Sequence, residues 1–117
     1  MEVLNGHKKI GAVLLSEMVG TAFILLAVNY GGTSNNTPAC VGFTLFGMVQ
    51  IFGPVSGAHV NPAVTIGMFF TELGHPTNPV SWAANLGYAI SIIMAQVTGA
   101  VVGAVLTALS MDIFEDK

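Results

Sequence analysis

Apolar residues run along this chain in long blocks separated by short polar turns. From Ile10 to Tyr30 the run is interrupted only by Ser16, Glu17, Thr21 and Asn29. A second block, Ala39 to Val55, holds Thr44 and Gln50, and a third runs from Leu86 to Leu109. Each falls in the range of roughly 17–25 residues that lets an α-helix cross a ~30 Å hydrocarbon core. The pattern predicts three transmembrane helices, about 10–30, 39–55 and 86–109. Residues 1–9 form a polar head, Gly31 to Pro38 a tight polar turn, and Met111 to Lys117 an acidic tail.

Between the second and third blocks lies a shorter element. Ser56 to Val60 turns the chain back, and Asn61 to Phe70 reads as a helix. The Asn61 side-chain oxygen can accept from free N–H groups of the first turn. Pro62 suits the first helical position, where its missing N–H costs nothing. Val64, Ile66, Gly67, Met68, Phe69 and Phe70 continue the helix without charge. Such a helix is roughly 15 Å long, about half of a bilayer core. Residues 56–70 are therefore expected to form a re-entrant loop and half-helix. Irregular backbone at that depth survives only where it is buried in protein or lines a watery cavity. The predicted class is an all-α membrane protein with three transmembrane helices and one half-helix. Thr71 to Asn85, with Gly74, Pro76 and Pro79, is expected to be a loop, with Trp82 as an interfacial anchor.

Composition agrees with a membrane setting. Of 117 residues, 53% are hydrophobic and 8% charged, against about a quarter charged in soluble domains. A net charge of −3 with no arginine gives no footprint for nucleic acid. Cys40 is the single cysteine, so no internal disulfide forms, and at the start of an apolar run it reads as a small hydrophobe. The first block is too long for a signal-peptide core and lacks a clear cleavage site. Three spans place the termini on opposite sides of the membrane. Lys8 and Lys9 favour an inside N-terminus, but only Lys117 marks the other end, so the bias against dual topology is thin. Small residues recur at four-residue spacing, as Ala12, Ser16 and Gly20 and as Ala95, Gly99 and Gly103. That spacing lets helix backbones approach, within one subunit or across an oligomer seam.

Few side chains carry chemistry. Glu17 is the one acid in the middle of a span. It is either a functional carboxylate or an acceptor for the N–H groups of the re-entrant loop. Gln96 can serve similarly, or simply join helices. His59 has no second ligand at metal spacing. It acts as a loop-fixing hydrogen-bond partner or as a pH-sensitive group, whereas His7 and His75 lie in polar segments. Asn35-Asn36-Thr37 matches a glycosylation sequon but sits in a short turn near the membrane, so no glycan is expected. At Asn61 the oxygen caps the half-helix and the NH2 faces outward as a donor. With the positive end of the helix, such a donor orients a water or hydroxyl and repels cations. A plain local turn is the alternative. No nucleophile–base pair, metal cluster or phosphate-binding glycine loop is present, so no enzyme activity, cofactor or metal is expected.

Ser56 to Gly67, SGAHVNPAVTIG, resembles the first signature loop of the major intrinsic proteins, the aquaporins and aquaglyceroporins. Glu17-Met18-Val19-Gly20-Thr21 is similar to the pattern in the family's first helix. Tyr88, Ala95-Gln96, Gly99-Ala100 and Gly103 are similar to its third. The resemblance implies a fold of two inverted repeats, each with three spans and a half-helix. Residues 1–117 match one repeat, the N-terminal one. It implies that Asn61 is a pore donor beside Pro62 and Ala63. Gly57, Ala58 and His59 supply pore-lining backbone, and Glu17 holds the loop. Three features depart from the family. There is no second Asn-Pro-Ala. The filter arginine of the second repeat is absent, and here Val64 follows Ala63. Val41 stands at a filter position that is often aromatic, and the loop Thr71 to Asn85 is longer than usual.

One repeat alone leaves Asn61 and the loop carbonyls open to lipid, at several kcal/mol for each unsatisfied group. The expectation is a half-size channel subunit passing water or small neutral solutes such as glycerol. A partner half closes its pore, either an inverted copy or a separate chain. A non-conducting subunit of a larger membrane complex, or a fragment of a two-repeat channel, are the alternatives.

Overall fold

The computed structural model describes residues 10–31, 35–73 and 81–115. They form α1 (Ile10–Gly31), α2 (Thr37–Ser56), α3 (Pro62–Leu73) and α4 (Trp82–Glu115). Three of these helices, α1, α2 and the Trp82–Met111 stretch of α4, are long and apolar enough to cross a bilayer, whereas α3 is a shorter apolar helix. The protein is an integral, multi-pass membrane protein. The element types match the hydrophobic pattern, but two expected segments need correction. The region expected as a Thr71–Asn85 loop is helical at both ends, because α3 runs on to Leu73 and α4 begins at Trp82. Ser81 starts α4 early: its hydroxyl accepts the Ala84 N–H at 3.3 Å, an N-terminal cap. The expected acidic tail is helical as far as Glu115.

Side-chain pairs fix the directions of the helices. Glu17 meets Gln96, Asn29 Nδ2 donates to Thr107 Oγ1 at 3.2 Å, and the Tyr30 and Ser110 hydroxyls bond to each other. Residue numbers rise together along both helices, so α1 and α4 run parallel. Thr37 abuts Gly31 and Phe52 lies near Gly20, so α2 returns antiparallel beside α1. α3 rests on α4.

Lipid tails are as apolar as leucine, so apolar burial does little to join helices in a membrane. Close packing and polar bonds do it instead. Gly99 and Gly103 let α4 approach α1 at backbone distance. A Cβ at Gly99 would collide with the Met18 carbonyl, and one at Gly103 would stand 2.7 Å from the Ala22 oxygen. Within the small-residue series of α1, Ser16 and Gly20 are buried but Ala12 is exposed. Val13, Tyr88 and Ile92 form the apolar core, with Leu14 packed against them. The largest wholly buried side chains are Ile92, Gln96, Glu17 and Val13, so half of that set is polar. Gln96 stands at the middle of the apolar stretch Trp82–Met111, which places the polar cluster at mid-membrane depth.

Candidate functional site

The site begins where α2 stops. Gly57, at φ +89°, takes the left-handed conformation that ends a helix, and its N–H returns to the Gly53 carbonyl at 3.0 Å. Ser56 Oγ accepts the Ala58 N–H at 3.0 Å. Ala58 and Val60 then also adopt positive φ, 48° and 41°. For a β-branched residue such as Val60 that is a strained conformation, and surrounding bonds must hold it.

Glu17 does so. Its Oε1 accepts the His59 N–H at 2.9 Å, and its Oε2 accepts the Val60 N–H at 2.7 Å. The carboxylate is wholly buried. No lysine or arginine lies between Ile10 and Asp116, so these N–H groups and Gln96 supply what stabilises it. Gln96 Nε2 donates to Glu17 Oε2 at 2.7 Å and to Thr65 Oγ1 at 3.0 Å. Val60 seats its side chain over Gly20, where a Cβ would come within 2.5 Å of Val60 Cγ1. Gly20 follows Glu17 by three residues, so one face of α1 offers both the acceptor and the space.

Thr65 ties the loop to the half-helix. Its hydroxyl lies 3.3 Å from the Asn61 carbonyl, to which it can donate, and 3.2 Å from His59 Nδ1. The hydroxyl has one proton. If it goes to Asn61, His59 carries its proton on Nδ1, and if it goes to Nδ1, His59 carries it on Nε2. At the start of α3, Asn61 Oδ1 accepts the Ala63 N–H at 2.9 Å, with Pro62 as the first helical residue. This bond requires an oxygen, so it fixes the amide orientation. The NH2 is left without a partner among the described residues, and Asn61 is exposed. The α3 N-terminus adds partial positive charge there.

The structure thus gathers Glu17, Gln96, Gly57, Ala58, His59, Asn61, Pro62 and Ala63 around one loop. Val41 stands apart, half-buried on α2, a helix packed on α1. Thr65 and Ser56 are site residues that the sequence reading did not single out. The signal for Thr65 was present: four positions after the cap, it is the one polar residue in the stretch Pro62 to Phe70. Among the described residues there is no group of three or more His, Cys, Asp or Glu side chains that would hold a metal.

The model of the family described as "Major intrinsic protein" matches residues 12–114. The chain belongs to the major intrinsic protein family. Among curated relatives, mouse aquaporin-4 is 36% identical over 108 residues, covering 83% of this chain and 29% of the mouse protein. Human aquaporin-4 is 38% identical over 93 residues, covering 70% of this chain and 26% of the human one. Probable aquaporin NIP4-2 of Arabidopsis thaliana is 44% identical over 63 residues, covering 45% of this chain and 22% of that protein. The chain therefore spans less than a third of these relatives' length. No solved structure matches it significantly. Within a major intrinsic protein, the Glu17 cluster lies in the matched region together with the Asn61 loop.

Proposed function

We propose that this chain supplies one half of a pore for water or a small neutral solute such as glycerol, and that a second aquaporin-like half closes it. Residues 1–117 act as that single half. One observation carries the reading: Asn61 is exposed, with its oxygen used by the cap and its NH2 without a partner among the described residues, at the mid-depth end of a half-helix. Exposed to lipid, such a group costs several kcal/mol. Facing a partner half across a water file, it is satisfied by each passing molecule. Gly57, Ala58 and His59 line the approach, since their fold-back leaves loop backbone beside Asn61. Glu17 and Gln96 position that backbone. If the second half is an inverted copy, Val64 stands in the place of the arginine on both sides, and Val41 stands where the family often has an aromatic. That makes the constriction wider and more apolar, and so favours glycerol over strict water selectivity.

The test is stopped-flow osmotic shrinkage and glycerol uptake in liposomes containing the purified chain, compared with Asn61→Asp. Aspartate keeps a capping oxygen but removes the NH2 donor. Fast flux that Asn61→Asp abolishes supports a pore formed by oppositely oriented copies. Flux no faster than bare lipid, from folded protein present in both orientations, overturns pairing between copies. The second half is then supplied elsewhere, in which case adding it restores flux, or the protein is a non-conducting scaffold and no added half does.

A further inference from the structure

Among the described residues, three buried side-chain atoms have no hydrogen-bond partner: Asn85 Nδ2, Tyr88 Oη and Gln96 Oε1. All belong to α4, and their residues are 3%, 6% and 0% exposed. Separations of three, eight and eleven positions put them on one helix face, spread over roughly 16 Å of rise. That face is turned to α1, since Val13 and Leu14 pack with Tyr88 and Ile92, and Glu17 bonds Gln96. Tyr88 and Gln96 thus lie along the α1–α4 seam, and Asn85 stands one helical turn before Tyr88 on the same face of α4.

Their chemistry is complementary. Asn85 Nδ2 donates, Gln96 Oε1 accepts, and a tyrosine hydroxyl does either. Turning the Gln96 amide over does not remove the problem, because its oxygen would then face the Glu17 carboxylate that now receives its N–H. Native interiors rarely leave such atoms unpaired, and neither lipid nor the apolar neighbours Val13, Leu14 and Ile92 can pair them. A molecule that fits must be small and must both donate and accept. Water meets that description, and buried water at such sites makes two to four bonds.

We propose that the α1–α4 seam holds ordered internal water on Asn85, Tyr88 and Gln96, separate from the Asn61 face. This water is static. Its bond to Gln96 Oε1 fixes the amide whose other end holds Glu17 and Thr65, so Tyr88 and Asn85 are positioning residues for the loop. The site stands whether or not the chain conducts.

Water-edited solid-state NMR on the full isotope-labelled chain in lipid bilayers tests it. Magnetisation from water should reach the Asn85 amide and the Tyr88 ring about as fast as it reaches exposed Asn61, and several-fold faster than it reaches the Val13 and Ile92 methyls. Tyr88→Phe should slow transfer to Asn85 by about two-fold or more and leave Asn61 unchanged. Transfer to Asn85 and Tyr88 as slow as to Ile92 in the unaltered chain would overturn the proposal. So would a folded Tyr88→Phe chain with unchanged transfer to Asn85.

Discussion

Along the α1–α4 seam, Val13, Glu17, Ile92 and Gln96 are wholly or almost wholly buried, and Gly99 and Gly103 bring two backbones together. On the outer side of α2 and α3, Phe43, Phe46 and Phe70 stay exposed, Phe43 at 78%. In water this contrast would mark the second region as unfinished. In lipid, apolar exposure costs almost nothing, and cohesion depends on close approach and on polar bonds between helices. The seam has both. α3 has one buried residue, Thr65, and that residue carries its bonds to the cluster. Among the described residues, the half-helix is thus tied to the cluster through its N-terminal turn.

Substitutions can break this contrast, and their expected effects run from the seam outward. Glu17→Ala should do most. It leaves the His59 and Val60 N–H groups and the Gln96 amide short of an acceptor, at about 1–3 kcal/mol for each stranded buried donor. Reversible unfolding in mixed detergent measures it. Gly99→Leu comes next. It must separate α4 from the Met18 carbonyl, at about 1–3 kcal/mol by the same measurement. Thr65→Val keeps the shape and removes one acceptor of Gln96 and the His59 partner, so about 1–2 kcal/mol is expected. Asn61→Ala removes an exposed cap and should cost about 1 kcal/mol, and under the proposed function it should also lower solute flux. Phe43→Leu on the open side should change stability by less than about 0.5 kcal/mol. A Phe43→Leu loss comparable to that of Gly99→Leu would show that the open side is a packed interface.

Much of this was legible in the hydrophobic pattern. The three spans and the short helix after Asn61 follow from block length and from the Asn-Pro cap. The start of α4 was not legible. Gly74, Pro76 and Pro79 extend the loop signal toward Asn85, and Ser81 overrides it by capping Ala84. The partners of Glu17 were not legible either. Its donors lie 42 and 43 residues away and Gln96 79 away, and no local rule pairs residues over such distances. The positive φ of Val60 was hidden for a related reason: a β-branched residue argues against it, and only the Glu17 bond and the gap over Gly20 make it tolerable.

Hydrogen–deuterium exchange of individual amides in lipid nanodiscs tests the central claim most directly, that Glu17 holds the Asn61 loop from the α1–α4 side. The His59 and Val60 amides should rank among the slowest outside the helices and exchange far more slowly than the Ala63 amide at the exposed cap. In Glu17→Ala, His59 and Val60 should speed up to match Ala63 while the α1 and α4 amides stay protected. Equal and rapid exchange of all three amides in the unaltered chain, or no change on losing Glu17, would contradict it.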